Sequence, residues 1–352
     1  MLGFSVYLNE EKAVLEQKIV QMKEHAFTLI FSSINLPEYE PSEVVNKLRF
    51  LLDLVDKYQL QLILDVNQKS FTTYQIENVL AEANIEHLLY LRLDDGFTAE
   101  EIVQLSKTYA IVLNASTLTP AMLASYQASG LELSKLLACH NYYPREDTGL
   151  DESYFLQMNQ HLRAKNIRVI GFFGNEATSY ARGPIYAGLP TLEIHRHCHP
   201  LVACVELLEK YACDFAILAD LGLSDQVLQQ FDAYYHQKKL LFRLKDVQVA
   251  YLDELKCTHQ SRNDISKNVI RCQESRRRNQ GRVIPPLNCQ ARTIGSVTID
   301  NEQYLRYQGE LQITKVSLPA DQRVNKIAQV ISADLDLLSL MQPGMSFGFM
   351  LS

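Results

Sequence analysis

Gln61-Leu62-Ile63-Leu64-Asp65 is an apolar run closed by a carboxylate, and the residues before it have a different rhythm. In 44–55, Val44, Val45, Leu48, Leu51, Leu52 and Val55 recur at the three-to-four spacing of one helix face. Nearly continuous apolarity, as in 61–65, is what a parallel strand buried on both faces requires. The two rhythms alternate through the first 240 residues. Strands are expected at 3–7, 26–32, 61–66, 88–93, 110–114, 135–139, 167–173 and 214–219. Amphipathic stretches lie at 41–59, 98–108, 151–165, 199–211 and 224–238. Eight such units in about 240 residues match a (β/α)8 barrel in size and count. A doubly wound sheet is the competing arrangement, but no glycine-rich dinucleotide loop follows the first strand.

After residue 240 the character changes. Short alternating runs, Gly295 to Asn301, Tyr304-Leu305-Arg306-Tyr307 and Glu310-Leu311-Gln312-Ile313, are punctuated by Pro285-Pro286 and Pro343-Gly344. They predict a small, mostly antiparallel β domain over 241–352, following a barrel over 1–240. Two domains suit a chain of 352 residues, and 47% hydrophobic residues supply their cores.

No run of eighteen apolar residues occurs, so no membrane span or membrane partner is expected. The first residues, Met1 to Tyr7, already read as a strand and lack a basic start and a cleavage site. The seven cysteines are scattered without a pairing pattern. Both features place the protein in the cytoplasm. From residue 241 onward, 15 Lys+Arg face 11 Asp+Glu, a net of +4; the whole chain is −7, so residues 1–240 carry −11. An acidic front half argues against nucleic-acid binding there.

In a barrel, polar residues ending the strands point into a site at the top face. Here these are Asp65, Asp94, Asn114, His140 and Asp220, with Glu193 on the long loop after the seventh strand. Two loops concentrate functional groups among turn formers: His140-Asn141-Tyr142-Tyr143-Pro144-Arg145, and Arg182-Gly183-Pro184 running on to Glu193-Ile194-His195-Arg196. Converging carboxylates suit glycosidic bond cleavage, in which one acid protonates the leaving oxygen and a second acts as nucleophile or activates water. By analogy with barrel glycosidases, which often place carboxylates after strands four and seven, these are Asp94 and Glu193, with Asp65 and Asp220 as further candidates. Each has a plainer reading: a turn residue before Gly96 for Asp94, an ion pair or helix cap for Asp65, an ion pair with Arg182 or Arg196 for Glu193, and a turn or cap for Asp220.

His195, His197, Cys198 and His199 cluster without a zinc signature, so no metal is expected. Ser5 and Ser116 lack a nucleophile elbow. The chain has no Trp, so Tyr7, Tyr142, Tyr143 and Tyr186 are the candidate platforms for a sugar ring. Arg262, Arg271 and Arg276-Arg277-Arg278 form either an anion site or a solvated face.

Read together, Gly3-Phe4-Ser5-Val6-Tyr7, Ile30-Phe31-Ser32-Ser33, Leu36-Pro37-Glu38, Arg92-Leu93-Asp94, Leu113 to Thr117, His140 to Arg145, Gly183-Pro184 and Gly188 to Glu193 resemble the 6-phospho-N-acetylmuramidases of the MupG type. Val269-Ile270-Arg271, Glu274-Ser275-Arg276, Thr298 to Asn301 and Tyr307 to Leu311 extend the resemblance into the tail. It implies a TIM barrel followed by a cyclophilin-like domain. It also implies a cytoplasmic glycosidase of cell-wall recycling, acting without a cofactor on N-acetylmuramic acid 6-phosphate linked β-1,4 to N-acetylglucosamine. Such a phosphosugar partner carries a phosphate and a lactyl carboxylate, for which Arg145, Arg182, Arg196, Arg271 and Arg276 are candidate ligands. Tyr7, Asn114, His140, Asn141, Tyr143 and His195 complete the expected binding set.

The chain departs from the family pattern at three places: Asn35 where a His is usual, Asp65-Val66-Asn67-Gln68 after strand three, and Leu218-Ala219-Asp220 at strand eight. Two other functions remain in competition. One is a non-catalytic phosphosugar binder or sensor, though four retained carboxylates suit it poorly. The other is prolyl isomerisation by the second domain, for which no activity is expected because a fold does not confer function. The sequence leaves the oligomeric state open.

Overall fold

Eight parallel strands close into a barrel in chain order: β1 (Leu2–Ser5), β2 (Leu29–Ser33), β3 (Gln61–Val66), β4 (Leu89–Leu93), β5 (Ala110–Asn114), β6 (Leu136–Cys139), β7 (Arg168–Phe173) and β8 (Phe215–Leu218). The computed structural model describes residues 1–35, 41–175 and 178–351; the shared motif Leu36-Pro37-Glu38 lies outside the described residues. Helices separate the strands, as at Pro41–Tyr58 between β2 and β3 and Glu152–Arg163 between β6 and β7. Asp151 caps the latter helix, its side chain accepting from Tyr154 N at 2.9 Å.

Side chains on a strand alternate between faces, so residues two apart share one. Phe31, Ile63, Val112, Leu137, Cys139, Ile170, Phe172 and Ile217 fill the barrel interior, with Tyr90 packed against them. One step of two toward the carboxyl ends brings Ser33, Asp65, Arg92 and Asn114 onto the same inward face, just above the apolar plug. The β3/β4 register sets Asp65 directly beside Arg92. Apolar packing therefore ends where polar chemistry begins, at the top face.

Contacts divide the chain into two compact units, Met1–Leu223 and Ser224–Ser352. The helix Asp225–Gln237 thus goes with the second unit, where Gln230 Nε2 donates to Leu241 O and to Asp334 Oδ2, each at 2.9 Å. That unit is a seven-stranded sheet of β9 (Lys239–Lys245), β10 (His259–Gln260), β11 (Val269–Arg271), β12 (Ser296–Asp300), β13 (Leu311–Thr314), β14 (Val324–Val330) and β15 (Ser346–Met350). Its order is β10-β15-β9-β14-β12-β13-β11, antiparallel except for the parallel pair β15/β9.

One expected strand-like run is different. Tyr304-Leu305-Arg306-Tyr307 lies in the helical turns Glu302–Tyr307, started by Asn301, whose Oδ1 accepts from Gln303 N at 3.1 Å. A side-chain acceptor at the first turn outweighs two alternations of apolar and polar residues. Among the described residues no helix is long and apolar enough to cross a membrane.

Candidate active site

A cavity of about 410 Å³ opens at the carboxyl ends of the barrel strands. It is bordered by Phe31, Ser33 and Asn35 from β2 and its loop, Asp65 from β3, Arg92 and Asp94 from β4, His140 to Tyr143 after β6, and Phe172 from β7. Of the residues singled out in the sequence, the structure gathers Asp65, Asp94, His140, Asn141, Tyr142 and Tyr143 here.

The floor is a polar network centred on Arg92. Its Nη1 donates to Asp65 Oδ1 and lies 3.8 Å from Asp94 Oδ1, while its Nη2 donates to Asn141 Oδ1 at 2.7 Å. Asn35 Nδ2 reaches Asp65 Oδ2 at 3.4 Å, and Asn35 Oδ1 accepts from Asn67 N at 3.0 Å. The two carboxylates therefore sit in unlike surroundings. Asp65 is 6% exposed and ion-paired. The Asp94 side chain is 36% exposed, and burial of its carboxyl raises its pKa above the ordinary value. The nearby charges of Asp65 and Asp95 add to the rise, and Arg92 opposes it. A carboxyl whose pKa is raised beside one that is ion-paired is the division of labour an acid-assisted displacement needs.

His140 borders the cavity but is wholly buried, and its ring stacks obliquely on Phe155 at 4.4 Å. Its Nε2 is 2.7 Å from Asn159 Oδ1, whose amide is oriented by Nδ2 donating to Tyr211 O at 2.8 Å. The ring proton therefore sits on Nε2. Burial lowers the His140 pKa to about 4, so the ring is neutral at neutral pH and positions the loop rather than carrying charge. Asn114 folds back on its own turn, Oδ1 accepting from Ser116 N at 3.0 Å.

Glu193 and Asp220 are engaged elsewhere. Both Glu193 oxygens are taken: Oε1 by Asp147 N (3.0 Å) and Arg196 Nε (2.5 Å), Oε2 by Gly149 N (2.7 Å) and Arg196 Nη2 (2.6 Å). The Arg196 bonds hold its pKa down at about 2. Asp220 is fully buried and accepts from the backbone N–H groups of Asn175, Arg182 and Leu189 at 3.0–3.2 Å. Burial nevertheless raises its pKa, against those bonds. Neither residue borders the cavity. Both fix the loops that rise above the strands.

Arg196, 5% exposed, is likewise internal: it donates to the carbonyls of Tyr143 (3.0 Å), Arg145 (3.1 Å), Ala187 (3.2 Å) and Gly188 (3.3 Å). It joins the loop after β6 to the loop after β7. Thr191 does the same, its hydroxyl donating to Asn141 O at 2.9 Å. A parallel bridge pairs Leu150 with Leu192. Together the loops make one ledge. Gly149 is required in it, because a Cβ there would stand 2.6 Å from Glu193 N.

The remaining candidates are dispersed. Tyr7 is buried, its hydroxyl donating to Ala219 O and its pKa pushed well up by burial, with the Arg182 guanidinium 4.4 Å above its ring. Arg145 is exposed at the ledge. His195 is buried against Glu206 at 2.9 Å, His197 is exposed, and His199 Nδ1 accepts from Leu201 N at 3.1 Å, so the three rings serve separate ends. In the second unit Arg271 forms a two-pronged pair with Glu310 (2.6 and 3.0 Å). Arg276 lies 3.8 Å from Glu310 and covers the Tyr307 ring at 5.2 Å.

Sequence reading did not single out Arg92 as a site residue. Its signal was present: a guanidinium inside a strand that is otherwise apolar, two residues before the strand-ending Asp94, must find a buried partner.

Comparison with known proteins gives the family. A model of the N-terminal part of 6-phospho-N-acetylmuramidase matches residues 2–233, and a model of its C-terminal part matches residues 240–350. No curated protein matches the chain. Among solved structures, a conserved Enterococcus faecalis protein of unknown function shares 32% identity at a TM-score of 0.88, covering 100% of this chain and 96% of that one. An uncharacterized B. cereus protein shares 24% identity at a TM-score of 0.70, covering 99% of each chain. Since the two matched regions follow one another over nearly all 352 residues, the chain belongs to the MupG family of 6-phospho-N-acetylmuramidases.

Proposed function

We propose that the protein hydrolyses the β-1,4 bond between N-acetylmuramic acid 6-phosphate and N-acetylglucosamine, as a cytoplasmic step of cell-wall recycling. The family supports this reading, and the observation that carries it is the unequal carboxylate pair at the top of the barrel. Asp94, partly open to the cavity and with its pKa raised by burial, donates the proton to the leaving glycosidic oxygen. Asp65, ion-paired with Arg92, is the carboxylate on the other side of the reaction, acting as nucleophile or as base on water. Tyr142 and Tyr143 border the same cavity and supply aromatic surface for a sugar ring in a chain without Trp. Arg145 and Arg182, on the ledge loops, are the barrel cations assigned to the phosphate and the lactyl carboxylate.

The test is product release from the 6-phosphorylated disaccharide beside its unphosphorylated twin, without added metal. Cleavage of the phosphorylated form alone is expected. Cleavage of both would make the protein a general muramidase. Tight binding of the phosphorylated form without turnover would instead support a sensing protein.

A further inference from the structure

We propose that Arg92 is a positioning residue that divides the roles of the two carboxylates, holding Asp65 in a fixed ion pair while standing beyond hydrogen-bond reach of Asp94. This rests on the hydrolase reading above and goes beyond it, since it assigns the division of labour to a third side chain and to the amide that anchors it.

The geometry is asymmetric. Arg92 donates directly to Asp65 Oδ1, yet the same Nη1 is 3.8 Å from Asp94 Oδ1, beyond hydrogen-bond reach. The second prong is occupied by Asn141 Oδ1 at 2.7 Å, so the guanidinium cannot swing toward Asp94 without breaking that bond. The backbone makes the bias permanent. Asp65 and Arg92 are register neighbours on β3 and β4, while Asp94 follows the end of β4. Among the described residues no other arginine or lysine borders the cavity. The groups facing this centre include Asp65 from β3, Asp94 and Asp95 after β4, from β6 the Cys139 thiol, pushed up to about 12 by burial and therefore uncharged, and after β6 the neutral His140 ring and the phenols of Tyr142 and Tyr143. Arg92 thus meets two close carboxylates with one positive charge and a fixed direction in which to apply it. An arginine suits this place better than a lysine because its planar fork holds Asp65 and Asn141 at once.

The experiment compares wild type with Arg92→Lys, Arg92→Met and Asn141→Ala in two readouts. One is the pH profile of kcat/KM on the 6-phosphorylated disaccharide. The other is 13Cγ-aspartate NMR over the same pH range, with signals assigned through Asp65→Asn and Asp94→Asn. In wild type Asp94 is expected to titrate above the ordinary aspartate range. In Arg92→Met that step should move by roughly one to three pH units, and kcat/KM should fall about 100-fold or more at the wild-type optimum. Arg92→Lys should keep the charge but shift the profile, and Asn141→Ala should lower kcat more than it raises KM. A folded Arg92→Met in which Asp94 titrates as in wild type overturns the proposal, as does an unchanged profile with the loss confined to KM. If Arg92→Met does not fold, the lysine and Asn141 variants decide by the same criteria. If wild type cleaves no disaccharide, the hydrolase reading fails on its own, and the aspartate titrations still show whether Arg92 divides the pair.

Discussion

At the scale of single residues, the site turns on which polar groups are held and which remain open. Asp94 is the open one. Asp94→Asn keeps the shape and removes the proton, so kcat should fall by roughly 10²–10⁴ with KM little changed; a variant with near wild-type kcat would remove Asp94 from the chemistry. Because the raised pKa belongs to an acid that must be protonated, activity should decline as pH rises through that value, and Asp94→Asn should lose that alkaline limb. His140 contributes no limb near neutrality, since burial keeps its ring neutral down to about pH 4. Asp65 and Asn114 were legible as polar residues that end their strands. For Glu193 the plainer reading, an ion pair with Arg196, is what the structure shows, but the backbone donors around Glu193 and Asp220 were not legible. Both are carboxylates on loops after strands, and only the folded backbone reveals that Asp147, Gly149, Asn175, Arg182 and Leu189 turn their N–H groups toward them.

At the scale of elements, the barrel strands could be read from apolar runs because each is buried on both sides and bounded by a change of rhythm. Helical turns such as Glu302–Tyr307 could not, since a local cap at Asn301 determines them. The ledge was visible as chemically dense sequence, but not as a clamp. Its central pair gives two expectations. Glu193→Gln should leave the chemical step running while the amides of Asp147 and Gly149 exchange faster in hydrogen-exchange measurements; abolished turnover with unchanged exchange would assign Glu193 a part in the chemistry. The stabilisation it supplies is present above the ordinary glutamate pKa and fades as pH falls toward about 2, where the native carboxylate is protonated. Gly149→Ala forces a methyl against Glu193 N, and calorimetry should show a loss on the order of 1–3 kcal/mol.

At the scale of the whole molecule, stability carries a pH signature of its own. Asp300, 4% exposed at the end of β12, has its pKa raised by burial, with the charge of Glu310 adding to it, to about 7. An unfolded aspartate titrates near 3.9, so keeping Asp300 ionised in the fold is unfavourable by on the order of 4 kcal/mol above pH 7. That penalty is absent below pH ~4 and grows between the two values. Asp300→Asn should therefore raise Tm clearly at pH 8 and hardly at pH 4; an equal gain at both would dissociate the effect from ionisation. The ledge has a consequence for how this chain can vary. Arg196 ties carbonyls of 143–145 to those of 187–188, and Leu150 pairs with Leu192. The two loops therefore cannot be lengthened, shortened or exchanged one at a time. They behave as a single structural module, and a graft that replaces one must carry both.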